Sequence, residues 1–321
     1  MSSAKEYHTE HIRNVVVLGH GGSGKTSLID ALAFTAGSSR RLGSAKGGTA
    51  LTMTTAEEVE HGLSMQATPA FAEWMGCKIN LIDTPGYLDF TGEALAATRV
   101  ADGAVVVLGA AHGVEGGTEK VWEYCTSRGI PRLFFVSMMD KEHADFDKVY
   151  REIRELLTEK VIPVEIPIGA GDDFRGIINL FSGRAHLYKP GTTSGEYEEA
   201  DIPAEMGDEF EDWRTELFET IAATDDDLLE QYLEGAEIRR ERAIEAMKAA
   251  MIRGELVPLF CGAAERTWGV RALLNKLVEL MPNPAEAAPE LAQRPGLDQI
   301  VEVRADDDGP FAALVFKTTT E

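Results

Sequence analysis

The sequence predicts an α/β protein with a mainly parallel sheet, interrupted once by an inserted α+β segment and followed by the beginning of a β domain. Three observations carry that expectation. Short apolar runs at 14–18, 78–83, 103–110, 133–137 and 256–262 alternate with helical patterns near Glu119 and Phe146 and one ending near Leu280. Between about 161 and 255 the alternation stops, and after 283 the composition turns to Pro and Ala before a short β-like stretch. Apolar runs of strand length separated by helices make βαβ units, whose right-handed crossovers set the loops after the strands along one edge.

Taken in order, NVVVL (14–18) is a β-branched run that leads into the glycine-rich GHGGSGKTS (19–27), and a helix opens there. KINLID and GAVVVLGA repeat the strand pattern. RLFFV is another buried strand, but it runs into Ser137-Met138-Met139-Asp140, which puts a carboxylate at the sheet edge where such folds hold ligands. Within the interruption, VEIPIG, RGIINLF and AHLYK read as strands. Phe210, Trp213, Leu217 and Ile221 then recur at helical spacing as a core face, and Asp225 to Asp227 offer a cap for a further helix. MPNPAEAAPELAQRPG reads as a linker. IVEVRADDDGPFAALVFKTTTE reads as two strands around a turn, too little to bury a core alone, so the chain is expected to stop inside a β domain. The divisions are 1–160 and 256–283 for the main domain, 161–255 for the insertion, 284–297 for the linker and 298–321 for the β segment.

The 321 residues suffice for at least two domains with proper cores. Asp and Glu outnumber Lys and Arg 54 to 31, and a net charge of −23 disfavours a broad nonspecific grip on nucleic acid. Cys77, Cys125 and Cys261 are scattered without metal-ligand spacing, as expected of reduced, buried thiols. The first residues are polar, and no run approaches the ~20 apolar residues that span a bilayer, so a cytoplasmic protein without a membrane partner is expected.

Gly19 to Ser27 fit G-x-x-x-x-G-K-[ST] between a strand and a helix, the setting this motif requires. Gly21, Gly22 and Gly24 let the loop turn back with its N–H groups inward, and with Ser23 and Ser27 they cradle phosphate oxygens. Lys25 should reach the β and γ phosphates and the Thr26 hydroxyl should bind Mg²⁺. In LIDTPGYLDF, Asp83 ends a strand and would hold Mg²⁺ through water, while Gly86 offers an N–H to the γ-phosphate. A loop held only by the γ-phosphate is released on hydrolysis, which makes it a switch.

From about Ile12 onward the chain resembles the translational GTPases, and among them the elongation factor G family. The match runs in order through GHGGSGKTS, EHGLSMQATPAF, DTPGYLDFTGE, SMMDKEHADF and CGAAERTWGVRALL. It implies a phosphate-loop G domain, with 161–255 as the family's inserted G′ subdomain and the segment from 298 as the start of its β-barrel second domain. It implies GTP and GDP as ligands and Mg²⁺ as cofactor, with the ribosome, its RNA and its proteins, as partner to a monomeric factor. Ser64 falls where the family's threonine binds Mg²⁺. Gly262, Ala263 and Ala264 fall where a backbone N–H, here that of Ala264, approaches guanine O6.

Three departures from the family stand out. Gly22 replaces an aspartate of the phosphate loop. Tyr87 replaces the histidine that orients the attacking water; a phenol is a poor base, but its O–H can position water, and phosphoryl transfer asks little more. The other reading makes Tyr87 a surface aromatic. The third is SMMD in place of N-K-x-D. Asp140 keeps the acceptor for guanine N1–H and the 2-amino group, and Met138 keeps a long polarisable stem for the base, but Ser137 is too short to copy the asparagine. The competing reading of Asp140 is a helix cap. By this resemblance Lys25, Gly86 and Tyr87 form the catalytic set of a ribosome-stimulated, Mg²⁺-dependent GTPase. The rival is a nucleotide-gated binding module that hydrolyses little. The acidic face of the G′ segment either docks a ribosomal stalk protein or is merely solvated.

Overall fold

A computed structural model describes residues 5–318 except 193, 295, 297 and 298. The expected boundary between linker and β segment, at 297 and 298, and the last residues, 319–321, lie outside the described residues.

The chain begins with strand β1 (Ile12–Leu18) and helix α1 (Lys25–Thr35), then a short helix α2 (Ala56–His61). Next come β2 (Thr68–Trp74), β3 (Cys77–Asp83), α3 (Thr91–Thr98), β4 (Gly103–Gly109), α4 (Gly116–Arg128), β5 (Arg132–Ser137) and α5 (Phe146–Leu156). With β6 (Val161–Pro163) and the later β11 (Val257–Cys261), the strands form one seven-stranded sheet ordered β2-β3-β1-β4-β5-β11-β6. All neighbours are parallel except the edge strand β2, which pairs antiparallel with β3. The seven residues of β4 are all buried, as a parallel sheet covered on both faces demands. Helix α1 packs on α9 (Val270–Leu280) and α3 on α4.

Local chemistry explains the helices. In α5 the buried Phe146, Val149, Tyr150 and Ile153 repeat at three- and four-residue steps, and Asp145 caps the helix by accepting from Lys148 N at 2.9 Å. Helix α4 ends on Gly129 in the left-handed conformation.

The insertion builds a separate four-stranded antiparallel sheet, β10-β9-β8-β7, from β7 (Glu165–Ile168), β8 (Gly176–Asn179), β9 (Arg184–Tyr188) and β10 (Tyr197–Ala200). Although the sequence placed residue 161 in the insertion, β6 is the edge strand of the central sheet, and the second sheet starts at Glu165. Three helices follow: α6 (Gly207–Ala222), α7 (Asp226–Leu233) and α8 (Arg240–Ile252). Phe210, Leu217 and Ile221 are buried in α6, Trp213 packs edge-on to Tyr150, and Asp225 caps α7 through Leu228 N.

After α9 the structure departs from the expected pattern. Strand β13 (Ile300–Val303) pairs antiparallel with β12 (Glu290–Gln293), which comes from inside the stretch read as a linker. Residues 311–318 form no strand. The apolar run FAALVFK satisfies the strand pattern, but a strand needs a partner to take its backbone hydrogen bonds, and among the described residues this segment joins no sheet.

Candidate functional site

The sheet register brings the singled-out loops to one edge. Asp83 lies beside Val17, Ser137 beside Gly109 and Cys261 beside Val136, so the loops after β1, β3, β5 and β11 leave the sheet together. The order β3-β1-β4 makes β1 the place where the sheet winds in opposite directions, which is where open α/β sheets bind ligands.

In the phosphate loop Gly22 has φ of 82° with nothing within 4 Å of an added β-carbon, so its backbone conformation, not space, calls for glycine. Gly24 is the N-cap of α1, which turns the helix N-terminus towards the loop. Lys25 is buried and folds over the loop, its Nζ donating to the carbonyls of Gly19 at 3.0 Å and His20 at 2.7 Å. Burial lowers its pKa to about 8, against the pull of Asp83 and Glu115. His20 is tied to the start of α4, where Gly117 N donates to Nδ1 at 3.2 Å. Ser23 is buried, and its Oγ has no hydrogen-bond partner among the described residues. Gly21, Gly22 and Gly24 to Ser27 line a cavity that runs to Met138 and Glu265.

The three expected metal ligands meet. Thr26 Oγ1 donates to Asp83 Oδ2 at 2.8 Å and lies 2.9 Å from Ser64 Oγ. Thr52 Oγ1 adds a second hydrogen bond to Asp83 Oδ2 at 2.6 Å. The Asp83 carboxylate is fully buried, its Oδ1 has no partner among the described residues, and burial raises its pKa against the two hydroxyls and Lys25. A carboxylate flanked by hydroxyl oxygens, one of its own oxygens orphaned, is a donor set that suits a hard divalent cation.

Ser64 is presented by a segment that Glu58 organises. The Glu58 side chain accepts from four backbone N–H groups, those of Thr54, Thr55, Met65 and Gln66, at 3.0 to 3.2 Å. Burial alone would raise its pKa, but the four donors hold it below the usual carboxylate value. Asp30 of α1 does similar work for the preceding loop, accepting from Gly43 N and from Leu51 N.

Gly86 presses on the phosphate loop so closely that a β-carbon would collide with the Lys25 ammonium and sit 2.6 Å from Gly21 N. Only glycine fits there. The half-exposed Tyr87 ring covers Gly21, whose own β-carbon would lie 2.9 to 3.1 Å from the ring.

On the base side, the buried Ser137 and the Met138 methyl reach Gly24, where a β-carbon would lie 2.9 Å from Ser137 Oγ and 3.1 Å from Met138 Cε. Met138 has φ of 63° in a turn closed by Lys141 N donating to Met138 O. The buried Gly262, Ala263 and Ala264 follow β11, and Met139 N donates to Gly262 O at 3.1 Å, stitching the two loops together. Asp140 is buried and faces two cations through the same oxygen, Arg266 Nε at 3.0 Å and Lys141 Nζ at 3.7 Å from Oδ2. It does not cap α5; Asp145 does.

Sequence reading overlooked Thr52, Glu58, Lys141 and Arg266. A signal existed for Glu58, since Thr55-x-x-Glu58 is a capping-box pattern, and both halves of that box form. None existed for Arg266, which reaches Asp140 across 126 positions of sequence.

Comparison with known proteins bears on the family and the fold. The pattern of the elongation factor Tu GTP binding domain family matches residues 10–283. A crystal structure of a protein from Thermus thermophilus superposes with a TM-score of 0.81 at 36% sequence identity, over 86% of this chain. The match takes in 41% of that protein, so this chain spans less than half of its length.

Proposed function

This chain belongs to the elongation factor Tu GTP binding domain family, as a translational GTPase of the elongation factor G type, and on that premise we propose that it hydrolyses GTP on the ribosome. The observation that carries the reading is the convergence of Lys25, Thr26, Ser64, Asp83 and Gly86 around one loop, with Asp140 on the same sheet edge. Residues 1–163 and 256–283 act as the G domain in this reading, the sheet from Glu165 and its helices as G′, and the chain from 284 as the way into a second, β domain.

Each group has a task. The phosphate loop, Gly21 to Ser27, wraps the phosphates with its N–H groups, and Lys25 exchanges its loop carbonyls for β and γ oxygens. Thr26, Ser64 and Asp83 are the residues that would hold Mg²⁺, with Thr52 fixing the Asp83 carboxylate. When bound, that ion neutralises charge developing on the phosphates. Gly86 offers its N–H to the γ-phosphate, and Tyr87 positions the attacking water by its hydroxyl. Met138 packs on the base, Asp140 accepts from the guanine N1–H and 2-amino group, and the loop of Gly262, Ala263 and Ala264 faces O6. The acidic helix α6 offers a face for a stalk protein. In this reading the protein works as a monomeric, cytoplasmic factor. No helix among the described residues is long and apolar enough to cross a membrane.

The second reading, a nucleotide-gated module that hydrolyses little, draws on the half-exposed Tyr87 and the short Ser137. Phosphate release by the full-length protein, with and without ribosomes, separates the two. Ribosomes should stimulate release, and Tyr87→Phe should lower the stimulated rate about tenfold while leaving GDP affinity unchanged. Absence of stimulation removes the enzyme reading, and an unchanged Tyr87→Phe rate removes the role of the hydroxyl.

A further inference from the structure

Four charged side chains close the base end of the site. Arg266 Nε stands 3.0 Å and Lys141 Nζ 3.7 Å from Asp140 Oδ2, and Lys141 also binds Glu265 Oε2 at 2.7 Å. The chain of charges thus runs Arg266, Asp140, Lys141, Glu265, and it crosses twice between the loop after β5 and the loop after β11. Glu265 lines the same cavity as Met138 and the phosphate loop. Arg266 is held from its other side by the Trp268 ring, 4.9 Å from its guanidinium, and Trp268 is buried and stacked on Tyr188 of β9. Glu265, ahead of Asp140, holds the Lys141 ammonium above its ordinary pKa.

We propose that Arg266, Lys141 and Glu265 are positioning residues for guanine recognition, a clamp that holds the Asp140 carboxylate in place and fixes the two base loops against each other. The inference rests on the reading of Asp140 as the guanine acceptor. Ser137 is too short for the bracing that a side-chain amide gives, and its Oγ is turned to Gly24; the clamp supplies bracing from the loop after β11. Both cations make their closest approach to the carboxylate at Oδ2. An anchored carboxylate discriminates between bases because its lone pairs stay where only a donor edge satisfies them. Because Lys141, Glu265 and Arg266 are all partly exposed, salt should weaken the clamp.

The test is calorimetric titration of the full-length protein with GDP, ADP and XDP. Arg266→Gln should weaken GDP binding about tenfold and shrink the GDP-over-ADP ratio by a similar factor, with Arg266→Lys recovering part of both. Lys141→Glu should weaken GDP binding, and the exchanged pair Lys141→Glu with Glu265→Lys should recover part of it, because the link between the two loops is restored while residue 141 now opposes Asp140. Circular dichroism checks that each variant is folded. GDP affinity and base ratio unchanged or improved in Arg266→Gln would overturn the clamp, as would a double exchange no better than Lys141→Glu. Asp140→Asn separates the underlying reading: it should shift preference towards XDP. If it does and Arg266→Gln does nothing, the clamp alone is wrong; if it does not, the guanine reading itself falls.

Discussion

In the phosphate half of the site nearly every group comes from residues 19–87 and is held by backbone geometry and close packing, whereas the base half is assembled from loops more than a hundred residues apart. Around the phosphate loop the constraints are steric: Gly86 against Gly21 and Lys25, the Tyr87 ring over Gly21, Lys25 folded on carbonyls. Around Asp140 the constraints are charge pairs, with support from the insertion behind them. Gly171 N donates to Met139 O at 2.8 Å, Gly269 N donates to the Tyr188 hydroxyl at 2.7 Å, and Tyr188 stacks on Trp268 with centroids 5.2 Å apart. Steric constraints of the first kind tolerate almost no change of residue type. Charge pairs and buttresses can be rebuilt from other residues, and around Asp140 they come from Lys141, Arg266 and the insertion.

The sharpest way to break this contrast is Gly86→Ala. Its methyl has no room beside Lys25 and the phosphate loop, so GTP hydrolysis should fall by about 100-fold or more, the scale of a small displacement at a reacting centre. A variant within threefold of the parent in single-turnover hydrolysis would mean that the loop approach is not obligatory.

A smaller effect should follow from Glu58→Gln. Neutralising a buried carboxylate that accepts four N–H groups weakens charge-assisted hydrogen bonds and should cost about 2 kcal/mol locally. Hydrogen exchange at Thr54, Thr55, Met65 and Gln66 should speed up while α9 stays protected; uniform protection would show that the segment is held by something other than this carboxylate.

The smallest expected effect lies behind the base half. Glu165 of β7 is buried with one oxygen unpartnered, and burial pushes its pKa from 4.5 up to about 7, with Lys276 and Asn179 opposing. The folded state therefore holds a proton that the unfolded chain releases above pH 4.5, and stability falls as pH rises from about 4.5 through 7. Glu165→Gln should remove that slope, raising Tm by about 3 °C at pH 8 and changing it little at pH 5. Equal Tm differences at both pH values would show that Glu165 does not titrate in this window.

By itself the sequence determined the parallel sheet, the glycine-rich turn between β1 and α1 and the place of Asp83 at the end of β3, because each follows from local rules: apolar runs of strand length, glycines that free the backbone, a motif fixed by its own spacing. Capping was equally local, as Asp225 before α7 illustrates. What the tertiary structure alone decided depends on pairing between distant parts. It chose β12, from the supposed linker, as partner of β13 and left 311–318 without a strand, since a strand exists only where another backbone takes its hydrogen bonds. It moved β6 into the central sheet by pairing Val161 with Val257. It added Thr52 to Asp83, and it set Arg266 against Asp140 and Trp268, because side chains from separate loops meet only after the sheet edge has brought their strands together.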